Sequence, residues 1–186
     1  MRKLILIVGL PGSGKTTVAE FIKKHFNAYI LHSGDVIREE IKRRGLKYTP
    51  ESDMLIAHWF HTHGREKLIA KRVWEKVKKT KKNIVVIEGF RSLKTVNHFK
   101  RISKITPIII AVEASFKVRA ERELKRKRFG KKESIEYLKA REKLERKHGI
   151  IKLIKKADFK INNSRMTKKQ TEKKVVEILK KVLESK

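Results

Sequence analysis

Eight consecutive residues, Gly9-Leu10-Pro11-Gly12-Ser13-Gly14-Lys15-Thr16, carry the clearest chemistry in the chain. They fit the spacing G-x-x-x-x-G-K-[ST], in which glycines let backbone N–H groups turn inward around phosphate oxygens. A helix starting at the end of the motif adds its positive pole to the same place, with Thr17 in its first turn. In this chemistry Lys15 reaches the β and γ phosphates of a nucleoside triphosphate, and Thr16 offers its hydroxyl to Mg²⁺. ATP and Mg²⁺ are therefore the expected cofactors. The motif directly follows the apolar run 3–8 and directly precedes a helical pattern, which is the context its mechanism requires.

Other groups bear on the same chemistry. Val85-Val86-Ile87-Glu88-Gly89 resembles the second element of such nucleotide-binding proteins, where a carboxylate at the end of a buried strand approaches the Mg²⁺ shell. Asp is the usual residue there. Glu88 is one methylene longer, so it acts through water, binds substrate, or is simply solvated. Arg122 and Arg126 are four apart and share a helix face. Arg119, three before Arg122, rivals either one. Residues 117–132 hold nine Lys or Arg against two Glu, a run that also suits an ordinary solvated face. His58, His61 and His63 invite a metal reading, but only His58 and His61 share a helix face and H-E-x-x-H is absent, so no metal is expected there.

These residues need a scaffold, and the pattern around them supplies one. Short apolar runs at 3–8, 28–31, 83–87, 107–112 and 158–161 read as strands buried on both faces. Helical patterns lie at 16–25, 36–44, 52–80, 93–102, 116–128, 133–146 and 167–183, with Gly64 breaking the third into two helices. Alternating strands and helices predict an α/β fold, a five-stranded parallel sheet with helices on both faces. The last helix places Val175, Ile178, Leu179, Val182 and Leu183 on one stripe, expected to pack on the sheet.

Composition narrows the class. A chain of 186 residues suits one domain. With no Cys it has no disulfide scaffold, thiolate metal site or Cys nucleophile. No apolar stretch approaches the roughly 18 residues of a membrane span, and the segment 1–10 is too short for a signal peptide. A soluble, cytoplasmic protein with no membrane partner is expected. The 50 Lys and Arg exceed the 20 Asp and Glu by a formal charge of +30, which predicts attraction to polyanions, RNA or phosphorylated small molecules alike. The plainer reading is compositional bias on solvated helix faces.

With the phosphate loop placed, most of the chain resembles the adenylate kinase and nucleoside monophosphate kinase family. Ser33-Gly34-Asp35-Val36-Ile37-Arg38 looks like that family's S-x-G-D-x-x-R, shortened by one residue. Glu88-Gly89-Phe90-Arg91 is similar to its D-G-[FY]-P-R, with the Pro missing. The stretches 34–40, 89–92, Glu121-Arg122 with Arg126, and 157–163 also resemble a group of archaeal adenylate-kinase-related proteins, themselves similar to dephospho-coenzyme A kinases. The resemblance implies an acceptor-binding arm at about 35–80 and a short lid at about 127–145. It implies that Arg38 and Arg91 grip the acceptor's phosphate, with Ser33, Gly34 and Gly89 beside them. It also implies that Arg122 stacks on adenine, Arg126 reaches the phosphates, Arg141 joins as the lid closes, and Asn162 belongs to the nucleotide site. Trp59 and Phe60 would pack the arm or touch the acceptor.

The function so read is ATP-dependent phosphoryl transfer to a small phosphorylated acceptor, a nucleotide first. The alternatives are a dephospho-coenzyme A kinase-like enzyme, whose hydroxyl acceptor would need Asp35 as general base, and an RNA- or ribosome-associated ATPase. Oligomeric state is left open.

Overall fold

The chain, described by a computed structural model over residues 2–126, 129 and 134–184, folds around five parallel strands. These are β1 (Lys3–Val8), β2 (Tyr29–His32), β3 (Ile84–Glu88), β4 (Ile108–Glu113) and β5 (Phe159–Asn162), in the spatial order β2-β3-β1-β4-β5. β1 is central, pairing Ile5 with Val86 on one side and Ile108 on the other. A strand flanked by two others and covered on both faces must be apolar throughout, which is why the sequence from Leu4 to Val8 carries no polar residue.

Alternation along β1 divides the core. Leu4, Leu6 and Val8 face the larger cluster, packed with α2 (Ser33–Arg43), α3 (Pro50–Phe60), α4 (Glu66–Lys79), α5 (Leu93–Ser103) and α8 (Ile150–Lys155). Ile5 and Ile7 face the other, beneath α1 (Lys15–Phe26) and α9 (Lys168–Glu184). On α9, Val175, Ile178, Leu179 and Val182 are buried as the stripe predicted. Leu183, expected with them, lies at the rim and is 37% exposed.

The remaining helices, α6 (Phe116–Leu124) and α7 (Ile135–His148), follow β4. Residues 127, 128 and 130–133 of the expected lid lie outside the described residues; its described part is mostly the first turns of α7. Helix α8 is absent from the sequence-based expectation. It starts at Gly149, whose left-handed backbone (φ 101°) ends α7, and it buries Ile150, Leu153 and Ile154.

The arm is built from α2, α3 and α4. Thr49 and Ser52 form a reciprocal cap at the start of α3, with Pro50 at its first position. Gly64 turns the chain between α3 and α4, where the break was expected. Glu40 on α2 is fully buried and accepts hydrogen bonds from Arg43, Arg44 and Arg72, fastening α2 to α4. Those three guanidinium groups, Arg43 foremost, hold its carboxyl well below the usual carboxylate range. No helix among the described residues is long and apolar enough to cross a membrane.

Candidate active site

The carboxyl ends of β1, β2 and β3 lie side by side, so Gly9, His32 and Glu88 meet at one edge of the sheet, the usual place for ligands in open parallel sheets. From β1 the chain turns through residues 9–14 into α1, and Lys15 and Thr16 occupy the first turn of that helix. At Gly12 (φ 76°) a Cβ would stand 2.4 Å from the carbonyl oxygen of Arg119, so only glycine lets the loop pass this close to α6.

Lys15 folds back over the loop and donates to the Leu10 carbonyl at 2.9 Å. Burial pushes its pKa down to about 8, against the opposing pull of Glu145, Glu88 and Glu123. Thr16 Oγ1 donates to Glu88 Oε1 at 3.2 Å. The same oxygen lies 2.6 Å from His32 Nδ1, a contact that raises the His32 pKa. Burial pushes the Glu88 carboxyl up, but His32, Lys15 and Thr16 together hold it below its ordinary value. Its second oxygen, Oε2, is buried without a hydrogen-bond partner. A hydroxyl and a carboxylate with an oxygen to spare form a hard oxygen donor set of the kind Mg²⁺ takes, so Thr16 and Glu88 fit a magnesium ion with water completing its shell. Nothing in the sequence marked His32. It enters because β2 runs beside β3 in register, His32 opposite Glu88.

The loop, Thr16 and Glu88 open into a cleft of about 250 Å³ whose walls include Gly34, Arg38, Gly89, Arg91, Arg126 and Arg141. Each of these cations meets a carboxylate of the chain. Arg38 pairs with Asp35. Arg91 Nε is 3.1 Å and Arg141 Nε 3.3 Å from Glu145 Oε1, while Arg126 and Arg141 approach Glu123 at 2.9 and 3.7 Å. Glu123 and Glu145 are both buried. Burial disfavours the charge on Arg141, yet Glu145 and its acidic neighbours raise the Arg141 pKa above the usual arginine value.

Two residues expected to touch the acceptor do not line this cleft. Ser33 is buried behind Gly89, its hydroxyl 2.7 Å from where a Cβ on Gly89 would stand. Asp35 stands outside the wall and holds Arg38 from the side.

A second hollow of about 200 Å³ adjoins the loop and is lined by Gly12, Gly14, Thr17, Arg122, Arg126 and Asn163, among others. Arg122 Nη1 donates to Asn163 Oδ1 at 3.0 Å and to the carbonyls of Gly12 and Ser13 at 3.3 and 3.4 Å. The expectation for Asn162 needs correction. Its carboxamide accepts from Ser164 N and Oγ at 3.1 and 2.7 Å, away from this hollow, and its neighbour Asn163 faces Arg122 instead. Successive residues at a strand end point to opposite sides, so an error of one residue inverts the assignment. Ser13 also turns away, its buried hydroxyl toward Gly9 and the back of the loop.

Arg119 leaves the contest with Arg122. It is 4% exposed and donates to Glu142 Oε2 at 2.8 Å, the Pro11 carbonyl at 3.2 Å and the Ala114 carbonyl at 3.1 Å, so it fastens the loop to α6 and α7. Phe60 is fully buried, and Trp59 lies between the guanidinium groups of Arg44 and Arg65, 4.2 and 4.6 Å from the ring centre. Both pack the arm, and neither lines the cleft. His58 and His61 do share a face of α3, where His148 of α7 stacks on them with ring centres 5.5 and 4.2 Å away.

A family model described as an AAA domain matches residues 8–139. The UPF0200/UPF0201 protein of Archaeoglobus fulgidus is 36% identical over 164 residues, covering 87% of this chain and 50% of the relative, so the chain spans about half that protein's length. The UPF0200 protein of Thermococcus onnurineus is 34% identical over 183 residues, covering 97% of this chain and 98% of the relative. Among solved structures, a shikimate kinase from Acinetobacter baumannii in complex with shikimate is similar with a TM-score of 0.59 at 16% identity, covering 100% of this chain and 96% of that one. A sugar kinase from Janibacter has a TM-score of 0.57 at 13% identity, covering 97% and 95%. At such identities the likeness concerns the fold, a five-stranded parallel α/β sheet of the kinase type.

Proposed function

This chain belongs to the UPF0200 family and carries an AAA domain over residues 8–139, and from the cleft those elements build we propose an ATP-dependent, Mg²⁺-requiring phosphotransferase of the nucleoside monophosphate kinase type. The observation that carries this reading is one cleft lined by the phosphate loop, by Arg126 and Arg141, and by Arg38 and Arg91. Five cationic side chains of such different origin converge where a donor phosphate and an acceptor phosphate would have to meet.

Phosphoryl transfer asks the protein mainly for alignment and charge neutralisation. In this reading the loop's N–H groups and Lys15 hold the donor phosphates, and Arg122 lies against the nucleotide's base in the second hollow. Thr16 and Glu88 would hold a magnesium ion, which would supply positive charge to neutralise the donor's phosphates. Arg126 and Arg141 offer planar donors to the group in transit, where preorganised charge is most effective. Arg38, steadied by Asp35, and Arg91, paired with Glu145 until the ligand arrives, receive the acceptor's phosphate. Incoming phosphates replace Glu145 and Glu123 as partners of these cations, which couples substrate binding to rearrangement of α6 and α7. A phosphate oxygen attacks as an anion and needs no general base, which agrees with an Asp35 that stands outside the cleft.

The test is a screen of γ-labelled ATP against nucleoside monophosphates and dephospho-coenzyme A. Label in a monophosphate supports the reading; label only in dephospho-coenzyme A moves the acceptor to a hydroxyl. The +30 charge supports a second reading, an RNA-associated ATPase. It predicts phosphate release that RNA stimulates and small acceptors do not, with RNA binding that weakens steeply as salt rises.

A further inference from the structure

Among the described residues two carboxylates line the main cleft, and the proposed phosphoryl transfer uses only Glu88. The other, Asp53, sits in the first turn of α3, 7% exposed, in a wall otherwise rich in cations. Its Oδ2 accepts a long hydrogen bond, 3.4 Å, from the hydroxyl of Tyr137 on α7. Tyr137 is joined through Phe129 to Tyr48, which lines the same cleft as Asp53. Tyr48 of the arm is 4.9 Å from Phe129, and Phe129 is 5.5 Å from Tyr137 in an edge-on arrangement. Tyr48 also hydrogen-bonds Arg38, so this ring and the acceptor-side cation stand together in the cleft wall.

A carboxylate in a phosphate-binding cleft repels the phosphate end of any acceptor. The part of the acceptor that reaches Asp53 must therefore be uncharged or cationic and must offer N–H or O–H donors. An aromatic ring in the same wall favours a flat partner. A phosphate at one end and a planar, donor-bearing ring at the other describe a nucleotide base. Among the bases, guanine presents two adjacent donors, N1–H and the 2-amino group, which match the two oxygens of a carboxylate. Adenine and cytosine set a ring-nitrogen acceptor beside the amino group, and uracil sets its single N–H between two carbonyls. We infer that Asp53, with Tyr48 in the wall of the same cleft, is a base-reading subsite that selects a guanine nucleoside monophosphate as the acceptor. This inference rests on the phosphotransferase reading above and sharpens its substrate.

The plainer role for Asp53 is a latch, tying α3 to Tyr137 and lying near Arg141 of the lid helix. The two roles differ in what they do to base selectivity. The experiment titrates GMP, IMP, AMP, CMP and UMP into the wild type and Asp53→Asn, with a non-hydrolysable ATP analogue filling the donor site, and then repeats the panel as turnover with ATP. The wild type should prefer GMP over AMP by about 30-fold or more, because a site built for donors is left unpaired by a base that lacks them. IMP, which lacks the 2-amino group, should fall by about 10-fold. Asp53→Asn should reduce the preference for GMP over AMP to within about 3-fold while ATP affinity holds, since the carboxamide no longer offers two acceptors. If that variant fails to fold, the wild-type comparison of GMP with IMP and AMP still decides the matter.

Equal binding of all the bases, a wild-type preference for AMP, or an equal loss for every nucleotide in Asp53→Asn would overturn the inference, the last pointing to a latch. Transfer with no base preference leaves the phosphotransferase reading standing and sinks this one. Selective, Asp53-dependent binding of GMP without transfer to any acceptor does the reverse.

Discussion

Replacing Glu145 by Gln removes one charge and almost no volume from the most densely charged part of the cleft. Glu145 is 4% exposed and holds Arg91 at 3.1 Å and Arg141 at 3.3 Å through one oxygen. Gln keeps an acceptor for both guanidinium groups but withdraws the charge assistance. Each ion pair loses its charge–charge attraction, about 1 kcal/mol apiece on a scale that runs from exposed pairs to the several kcal/mol of fully buried ones, so the two contacts together lose about 2 kcal/mol. For a chain of this size that corresponds to a fall in Tm of roughly 4–8 °C. Arg91 and Arg141 are then left facing one another with less negative charge between them. Phosphates of ATP replace that charge, so the rise in Tm on adding Mg²⁺ and ATP should be larger in the variant than in the wild type. Thermal unfolding followed by circular dichroism, with and without the nucleotide, gives both quantities. An unchanged Tm, or an equal nucleotide-induced rise in the two proteins, would refute the idea that Glu145 stands in for ligand phosphate.

Gly12→Ala should abolish ATP binding in a nucleotide-binding titration, because the added Cβ would lie 2.4 Å from the Arg119 carbonyl on a backbone at φ 76°. Arg38→Ala and Arg91→Ala should each raise KM for the acceptor more than KM for ATP; steady-state kinetics showing the opposite would mean that the two sides of the cleft are exchanged. Acid stability should depend on the stacked histidines. Burial, helped by Arg91 and the neighbouring histidines, holds His61 down to about 4 and His148 down to about 3, whereas in the unfolded chain each titrates near 6.5. The unfolded state therefore takes up protons first, and stability is full above about pH 6.5 and lost as pH falls toward 4. Urea midpoints measured across that range should drop in the wild type and drop less in His148→Asn.

The phosphate loop and the sheet were legible because both are local patterns. A glycine-lysine motif after an apolar run specifies its own strand, turn and helix, and the central strand announces double burial by having no polar residue from Leu4 to Val8. Features made by distant residues were hidden. His32 reaches Glu88 only through strand register, and Asp53 meets Tyr137 only because α7 crosses back over the arm. Arg119 and Arg122 are alike in sequence, and burial against Glu142 separates them. Asn162 was expected beside the loop, where the fold sets Asn163, because facing alternates at every residue of a strand end. Helix α8 has six residues, too few for a periodic signal, with Ile150, Leu153 and Ile154 as its only mark.

In the proposed reaction Lys15 and the loop around it present ATP for transfer to a phosphorylated acceptor. The most direct measurement is transfer of label from γ-labelled ATP to a nucleoside monophosphate by the wild type and by Lys15→Ala, with circular dichroism to establish that the fold is kept. Lys15 bonds the Leu10 carbonyl and contributes charge to the cleft, so its loss should leave the fold in place, weaken ATP binding and abolish labelled product. Equal labelling by the two proteins would exclude this role for Lys15, and a wild type that releases phosphate in the presence of RNA and never labels an acceptor would exclude the phosphotransferase.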